Sequence, residues 1–562
     1  MKKILIIGGV AGGASAAARL RRLNETDHII VFEKDEYVSY ANCGLPYYIG
    51  DIITEREKLL VQTVDGLSTR FNLDVRNFSE VLSIDPITKT VTVRNRQTNK
   101  EYTETYDKLI LSPGAKPIAL PIKGIETASN MFTLRNIPDT DRIYQYINDH
   151  HVQNALVIGA GFIGLEMAEN LVHRGINVTL VNNTNQVMGP IDYEMASFLH
   201  LELKKKGVNL ILNDSVQEFK QDGHLAVLSN NGEIETDMII TAIGVSPEVR
   251  LAKEAGLSIG VTGGIEVNEH LQTCNPDIYA VGDAIEVKHY ITNAPVRIPL
   301  AWPANRQGRL VADHINGLDA RYNGSLGTSV AKVFDLDVAL TGLNERILKM
   351  NHINFDSVIV HPNNHASYYP GAAQLHLKVL FEKGSGRILG AQAVGESGVE
   401  KRIDVIATAI KGNLSVYDLP DLELSYAPPF SSAKDPVNMA GYVATHVANG
   451  DYEVIHYHEV DEKVRNGSYL LDVRTPAEFE AGHIEGAVNI TVDDLRQRLN
   501  EIPADKEVLV YCQVGFRGYL ALQILKHHGI ENVKNLSGGY RTYEVVNQAE
   551  TELELDCYGY RK

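Results

Sequence analysis

The sequence contains few cysteines. Its 562 residues include only Cys43, Cys274, Cys512 and Cys557, which are too few and too widely spaced for a disulfide framework or a Cys₄ zinc site. No group of histidine, cysteine and acidic residues has metal-ligand spacing, so we expect no metal site. Thiols without a disulfide framework are typical of a reducing compartment, which predicts a cytoplasmic protein.

Basic residues are also scarce. Lys and Arg total 53 against 71 Asp and Glu, which gives a net charge of −18. Because an acidic surface repels phosphates, nucleic acid is excluded as a partner. Hydrophobic residues make up 44% and charged residues 22% of the chain, a globular composition, and the length predicts three or four domains.

Long apolar runs are missing too. Lys2 and Lys3 followed by Ile4–Ile7 could be mistaken for a secretory signal, but glycines interrupt the apolar run from Gly8 onward. A signal peptide needs about 7 to 15 apolar residues and a membrane span about 18 or more. We therefore expect a soluble protein with neither a signal peptide nor a membrane partner.

What the chain does have is a glycine-rich turn directly after its first apolar run. Ile4–Ile7 predicts a buried strand, Gly8 to Gly13 opens an alanine-rich helix, and a second strand, 28–32, ends at Glu33. Glycines let the backbone approach a pyrophosphate, and the acid can accept a ribose hydroxyl. Val10 replaces the usual middle glycine. The pattern predicts a dinucleotide site that uses Gly8, Val10, Gly13 and Glu33.

A second turn of this kind follows about 150 residues later. The strand 155–158 leads into Gly159, Gly161 and Gly164, and the next strand, 177–181, ends at Asn182. Asn182 stands where an NAD site often has a carboxylate and an NADP site an arginine nearby, so NADH is favoured over NADPH. Two such turns predict two dinucleotides, most economically FAD and NADH or NADPH.

Two further strands end in motifs that agree with this interpretation, Leu109 to Ala115 and Ile278 to Asp283. With them, residues 1 to 448 resemble the flavin pyridine-nucleotide disulfide oxidoreductase superfamily. The resemblance implies a homodimer and a further set of cofactor-binding residues. These are Lys34, Val81, Ser112, Gly114, Gly244, Asp283 and Ala301.

Cys43 lies in the segment 39–46, after the strand that ends at Glu33. In two-thiol members of the superfamily a second cysteine comes five residues later, where this chain has Tyr48. Any sulfur redox chemistry here therefore has one protein thiol, and the other sulfur or oxygen must come from outside. We expect a helix dipole and the flavin surroundings to lower the pKa of Cys43, which makes it a nucleophile.

The segment around Cys43 resembles that of coenzyme A disulfide reductase, a single-cysteine branch of the superfamily. The motifs 366–371 and 424–429 strengthen this resemblance, which implies that Tyr368 and Tyr426 are catalytic and reach the partner subunit's cysteine. It also implies that coenzyme A binds along one path. The residues on it are Ser15, Arg19, Arg22, Ser39, Asn42, Phe71, Asn305 and Lys434.

The character of the chain changes after Asn449. A buried strand, 508–511, delivers Cys512 to a short loop that ends at Arg517, and a helix begins near Gly518. Backbone N–H groups of such a loop and the arginine charge can stabilise a thiolate or persulfide. Together with the segments 472–474 and 482–487, this loop resembles a single-domain rhodanese. Cys274 and Cys557 have no such surroundings.

The expected fold class is α/β. We predict two Rossmann-like dinucleotide-binding domains, an α+β dimerisation domain and a C-terminal α/β rhodanese domain. The predicted boundaries are 1–148 with 245–325 for FAD, 149–244 for NAD(P)H, 326–448 for dimerisation and 455–549 for the rhodanese.

The predicted function is NAD(P)H-dependent, FAD-dependent reduction of coenzyme A persulfides, polysulfides or coenzyme A disulfide through Cys43. Cys512 would handle sulfane sulfur, so the partners are small thiols and persulfides. One alternative is a single-cysteine NADH oxidase or peroxidase, although that branch usually has a histidine where this chain has Val10 and Ala11. Another is a sulfur-relay carrier whose flavin half is a redox sensor.

Overall fold

The structure is a computed structural model that describes residues 1–119 and 121–559, with side chains as far as residue 553. Cys557, which has no sequence surroundings like those of Cys512, lies outside the described side chains. The chain forms two compact units. The first consists of Met1–Val181 and Ser215–Gly327, and the second of Asn182–Asp214 and Thr328–Lys562.

The first unit contains a five-stranded parallel sheet built on the predicted first strand. Ile4 to Ile7 are buried because neighbouring strands flank them on both sides, as in other parallel sheets. The strand order is Ile278–Ala280, Lys108–Leu111, Lys3–Ile7, His28–Phe32 and Asp74–Arg76.

A second parallel sheet carries the second glycine-rich turn. Within the first unit its strands run in the order Asn177–Val181, Asn154–Ile158, Met238–Thr241 and Met131–Thr133. In both Rossmann-like sheets a strand therefore ends at a glycine turn, as the sequence predicts. Two antiparallel meanders accompany them: Ser79–Asp85, Thr90–Asn95 and Glu101–Thr105, and Val216–Lys220, Leu225–Leu228 and Glu233–Glu235.

Smaller pairings and several helices complete the first unit. Ala115–Pro117 pairs with Val245–Pro247, and Ile285–Lys288 pairs with Ile265–Glu266 and Pro295–Val296. The helices are Ala11–Leu23, Leu45–Ile49, Val64–Phe71, Ile137–His150, Phe162–His173, Arg250–Glu254 and Ala301–Ile315.

The second unit contains an antiparallel sheet and a parallel one. The antiparallel order is Ser329–Val333, Leu336–Gly342, Ile388–Gly395, Leu375–Glu382 and Phe355–Val360. The parallel order is Glu453–Ile455, Val533–Leu536, Val508–Tyr511, Tyr469–Asp472 and Val488–Asn489. The first matches the predicted α+β part, and the second the predicted C-terminal α/β part.

The helices of the second unit surround these sheets. They are Tyr193–Lys205, Glu345–Met350, Val399–Lys411, Pro436–Ala448, Tyr457–Arg465, Pro476–Ala481, Phe516–His527 and Gly539–Gly559. The strand Asn209–Ile211 also belongs to this unit. No helix among residues 1–119 and 121–559 has the length and apolarity needed to cross a bilayer.

Three carboxylates meet in the second unit, where the sequence predicts no metal site. Asp192, Glu194 and Glu345 lie close enough to share an ion. The fully buried Lys378 lies among them, with Nζ at 2.8, 2.5 and 2.7 Å from their respective oxygens. Because these acids stabilise its charge, the pKa of Lys378 is raised despite its burial. The lysine is thus the counter-ion of this cluster.

Candidate active site

The first glycine turn is shaped to receive a phosphate group. Gly8 has φ +99°, and a Cβ there would lie 2.1 Å from the Ser112 carbonyl oxygen. A Cβ on Gly13 would lie 1.8 Å from the Gly8 oxygen, so neither position accepts a side chain. The helix that follows has no side-chain cap at Val10 and no acid in its first turn. Its N–H groups and dipole therefore suit an anion.

Glu33 lies at the end of the neighbouring strand and is buried. Its carboxylate accepts the N–H groups of Gly9 at 2.9 Å and Asp35 at 3.1 Å, and so holds the glycine turn in place. Burial raises the pKa of Glu33, although these two hydrogen bonds oppose the shift. A carboxylate has further lone pairs with which to accept a ribose hydroxyl.

The second glycine turn repeats this construction. A Cβ on Gly164 would lie 1.8 Å from the Gly159 oxygen, while Gly161 faces open space. The helix Phe162–His173 again lacks a side-chain cap and an acid in its first turn. Both turns therefore fit the dinucleotides that the sequence predicts. In the second unit, the Asn182 amide donates to Thr184 and to the Gln186 carbonyl.

Asp283 follows the short strand Ile278–Ala280, as the sequence predicts. Its carboxylate lies 3.5 Å from the Arg135 guanidinium, a partner that sequence analysis missed. Burial raises the pKa of Asp283, and Arg135 opposes that shift. Arg135 comes two residues after the strand Met131–Thr133, and a cation at a strand end is the signal that could have identified it.

The remaining predicted cofactor residues differ in exposure. Lys34, Gly244 and Ala301 are exposed. Val81 is buried in the core and pairs with Val93 in the strand Ser79–Asp85, so only its backbone could face a ligand. Ser112 donates its N–H to the Ile7 carbonyl at 2.8 Å. Gly114 lies against Arg135.

Cys43 lies in the short turn Asn42–Gly44, before the helix Leu45–Ile49. The residue is exposed, yet partial burial of its thiol, followed by the charges of Glu166 and Asp283, raises its pKa. Among the protein's own groups the shift is upward, first because burial disfavours the thiolate and then because the nearby charges are negative. The lowering expected from a helix dipole and the flavin stays a prediction. Tyr48, at the position of the second thiol, stacks on Tyr144 with ring centroids 4.8 Å apart.

Glu166 is a second residue that sequence analysis missed. It lies on the helix after the second glycine turn, and burial, with the charge of Glu169, raises its pKa to about 7. A carboxyl group that titrates near neutral pH beside a thiol can exchange protons with it. Its effect on Cys43 depends on a contact between segments more than a hundred residues apart, which no local motif reveals.

Several predicted substrate residues come together on the first helix. The Ser15 hydroxyl donates to Asn305 Oδ1 at 2.5 Å, and Arg19 pairs with Asp313 at 2.6 Å. Asn305 and Asp313 lie on the helix Ala301–Ile315. This helix packs closely on the first one, since a Cβ on Gly308 would lie 2.2 Å from the Gly12 oxygen.

The other predicted substrate residues of this unit are spread more widely. Arg22 is exposed, Ser39 donates its N–H to the Gly9 carbonyl, and Phe71 packs against the core. Asn42 Oδ1 is buried and has no hydrogen-bond partner among the described residues. An unsatisfied acceptor beside Cys43 fits a ligand that brings a donor.

The two predicted tyrosines meet in the second unit. Tyr368 Oη and Tyr426 Oη are 2.9 Å apart although the residues are 58 positions apart in sequence, and both side chains are exposed. The hydrogen bond between Tyr426 and Tyr368 raises the pKa of Tyr426. A hydroxyl of such a pair can donate its proton to a departing anion. Lys434 Nζ lies 5.9 Å from the Tyr442 ring centroid.

A buried arginine brings the two tyrosine loops together. The Arg402 guanidinium donates to the Asn364 carbonyl at 2.8 Å and to Asp435 at 2.9 Å. Ser431 donates its hydroxyl to Asp435, and its carbonyl accepts the N–H of Ala366. The loops that carry Tyr368 and Tyr426 are therefore fixed by one buried network.

Cys512 lies directly after the strand Val508–Tyr511 and is only 1% exposed. The Gly515 N–H donates to its Sγ at 3.2 Å, and the helix begins at Phe516, two residues earlier than predicted. Such a donor stabilises a sulfur anion.

Arg517 adds positive charge beside the thiol. Its guanidinium forms a two-bond ion pair with Glu478 at 2.6 and 2.8 Å. Its pKa is raised first by Glu478 and also by Cys512. In turn, Arg517 is the first cause that lowers the pKa of Glu478 to about 2. The arginine is thus charged and oriented at neutral pH.

Three family models match the chain. The model described as pyridine nucleotide-disulphide oxidoreductase matches residues 2–308, and the dimerisation domain of that description matches residues 328–436. A rhodanese-like domain model matches residues 456–545.

Curated relatives cover most of the chain. Coenzyme A disulfide reductases of Staphylococcus epidermidis and Staphylococcus aureus are 40% identical to it over 447 residues, 79% of this chain and 100% of each relative.

Solved structures cover the C-terminal part as well. Reduced CoADR-RHD of Bacillus anthracis is 57% identical with a TM-score of 0.96, covering 97% of this chain and 98% of that one. A NAD-dependent persulfide reductase from A. fulgidus is 37% identical with a TM-score of 0.91, covering 96% and 100%. A water-forming NADH oxidase from Lactobacillus brevis is 26% identical with a TM-score of 0.77, covering 80% and 100%. The predicted resemblance and fold class are confirmed.

Proposed function

This chain belongs to the pyridine nucleotide-disulphide oxidoreductase family, and from that premise we propose that it reduces coenzyme A persulfides, polysulfides or coenzyme A disulfide. It uses FAD and NADH or NADPH. The observation that carries the proposal is the single thiol Cys43, with Tyr48 in place of a second one, in a chain that also holds Cys512 in an anion-stabilising loop.

Cys43 is the nucleophile. Its thiolate attacks one sulfur of the substrate, a Cys43 sulfur–sulfur bond forms, and the substrate's own sulfur–sulfur bond breaks. Tyr426, hydrogen-bonded to Tyr368, gives a proton to the thiolate that departs at the partner subunit's Cys43. An FAD held by Gly8, Gly13 and Glu33 would supply, from the nicotinamide, the electron pair needed to restore the Cys43 thiolate and release the product.

Cys512 supplies the substrate. Its thiolate takes a sulfane sulfur from a donor, whose remainder leaves as an anion, and the Gly515 N–H and Arg517 stabilise the resulting persulfide. A small thiol such as coenzyme A then removes that sulfur and becomes the persulfide that Cys43 attacks.

Each part of the chain has its own role in this proposal. Residues 1–148 and 245–325 hold FAD, with Gly8, Gly13 and Glu33 at its phosphates and ribose, and residues 149–244 hold the nicotinamide dinucleotide. Residues 326–448 form the domain through which two copies of the chain make a homodimer. Residues 455–549 form the rhodanese module. Ser15, Arg19 and Asn42 bind coenzyme A. The enzyme works in the cytoplasm, where small thiols are kept reduced.

The test is Cys43→Ser in the full-length holoenzyme, with NADH oxidation measured on coenzyme A persulfide and on coenzyme A disulfide. We expect a loss of about 10³-fold or more, because the nucleophile is removed. The matched control is Cys274→Ser, which removes another exposed thiol and leaves the rate unchanged. Retained turnover in Cys43→Ser would overturn the proposal. Rates with oxygen and hydrogen peroxide above those with persulfide would favour an oxidase or peroxidase.

A further inference from the structure

A short segment of the second unit, 536–542, touches both the Cys512 loop and the antiparallel sheet. It links the strand Val533–Leu536 to the helix Gly539–Gly559. On one side, the Tyr540 N–H donates to the Cys512 carbonyl at 2.8 Å and the Arg541 N–H to the Gln513 carbonyl at 2.9 Å. The first N–H groups of this helix, which have no partner within the helix, thus hold the loop that carries the thiol.

The other side of the segment binds the edge strand Phe355–Val360. The Ile359 N–H, which points away from the sheet, donates to Ser537 Oγ at 2.9 Å. His361 Nε2 lies 2.8 Å from Thr542 Oγ1, and His361 Nδ1 lies 2.8 Å from His376 Nδ1. Ser537, Thr542 and both histidines are buried. Edge-strand groups are thereby satisfied by the segment that holds Cys512.

His361 and His376, which join the segment to the antiparallel sheet, are held in their neutral form. Burial lowers the pKa of His361 to about 3 and that of His376 well below its usual value, and the charge of Arg541 acts in the same direction. A neutral imidazole has one donor and one acceptor nitrogen. His361 must therefore donate to one of its two partners, His376 or Thr542, and accept from the other.

The segment also fits tightly. A Cβ on Gly539 would lie 2.5 Å from the Cys512 oxygen, and one on Gly538 would lie 2.1 Å from Thr542 Oγ1. A shift of the segment therefore moves the Cys512 and Gln513 peptides, and with them the Gly515 N–H that donates to Sγ.

We propose that the antiparallel sheet sets the geometry of the Cys512 loop through this segment, with Ser537 and Thr542 as positioning residues for sulfur transfer. The inference rests on the proposed role of Cys512. The rhodanese-like part is then held in place by the antiparallel sheet of the second unit.

The test compares Thr542→Val with Thr551→Val and Thr542→Ser in the full-length holoenzyme. Thr551 lies on the same helix, and its hydroxyl donates to the Asn547 carbonyl of that helix, so it is the matched control. Two properties are measured: sulfur transfer from thiosulfate to cyanide, and the pH profile of Cys512 alkylation by iodoacetamide, followed by peptide mass spectrometry. The charged groups at the loop are Arg517, which interacts with the thiol, its partner Glu478, and Arg474, whose guanidinium donates to Gln513 Oε1 at 3.0 Å.

In Thr542→Val we expect kcat for sulfur transfer to fall about 10-fold, with KM little changed, because the loop is misplaced. The Cys512 alkylation profile of Thr542→Val differs from that of the unaltered chain because the Gly515 N–H is misaligned, whereas Thr542→Ser and Thr551→Val behave like the unaltered chain. Identical rates and profiles in Thr542→Val and Thr551→Val would overturn the inference.

Ser537→Ala is a second variant, used if Thr542→Val does not fold. It removes the acceptor of the Ile359 N–H, and the same changes are expected of it, with unchanged rate and profile counting against the inference. If the unaltered chain transfers no sulfur, the proposed role of Cys512 fails. The alkylation comparison still decides whether the segment positions the loop.

Discussion

Cys43 and Cys512 lie in opposite surroundings. Cys43 is an exposed residue. Partial burial of its thiol raises its pKa, and so do the negative charges of Glu166 and Asp283. Cys512 is buried, receives the Gly515 N–H on its sulfur and has the Arg517 charge beside it. The protein's own groups thus stabilise an anion at Cys512, whereas at Cys43 that stabilisation must come from what binds there.

The largest effect that would break this contrast comes from removing the charge beside Cys512. In Arg517→Met we expect sulfur transfer from thiosulfate to cyanide to fall about 10²-fold, as when one preorganised charge donor is lost. The matched control is Arg498→Met, since Arg498 pairs with Glu501 three residues away. A rate within about twofold of the control would show that Arg517 does not stabilise the sulfur anion.

A smaller effect is expected on the Cys43 side from Tyr426→Phe. Reduction of coenzyme A disulfide should fall about 10-fold, less than the loss of a sole general acid, because Tyr368 keeps its own hydroxyl. Tyr417→Phe, another exposed tyrosine of this unit, is the control. If Tyr426→Phe and Tyr417→Phe have the same rate at every pH, the tyrosine pair is not the proton donor.

The smallest effect sharpens the comparison at Cys43 itself. Glu166 has a folded pKa of about 7, so it is negative in the range where a thiol titrates and holds the pKa of Cys43 up. In Glu166→Gln the midpoint of Cys43 alkylation should fall, because one of the negative charges that hold the pKa of Cys43 up is removed. Glu25→Gln, at an exposed position outside this helix, should leave that midpoint unchanged.

Glu166 also gives the sign of a stability effect. Its folded pKa is raised above the ordinary glutamate value of 4.5, so its contribution is favourable at low pH and is lost as the pH rises through about 7. Glu166→Gln should therefore be more stable than the unaltered chain above about pH 7 and little different below about pH 5. The same melting temperature difference at both pH values would contradict this.

Local sequence predicts the parts of this molecule whose chemistry is local. The strands 28–32, 177–181 and 508–511 have the predicted bounds, because each is a short apolar run with polar or turn-forming residues on either side. The meeting of Tyr368 and Tyr426 follows only from family resemblance, since the buried Arg402 that joins their loops has no local signature.

What sequence could not predict depends on distant contacts. Glu166 and Asp283 act on Cys43 from other elements, and their upward effect on its pKa could not be predicted because these charges are known only from packing. Arg135 likewise meets Asp283 across 148 positions. The same holds for His361 and Thr542, which meet across 181 positions.

The stacked ring of Tyr48 has a consequence for how oxidation is stored. A phenol cannot form a disulfide with Cys43. When Cys43 is oxidised by two electrons, there is therefore no second thiol at position 48 to pair with it. In the proposed reaction, a sulfur–sulfur bond at Cys43 therefore joins it to a group from the substrate, and the mass of the oxidised chain identifies that group.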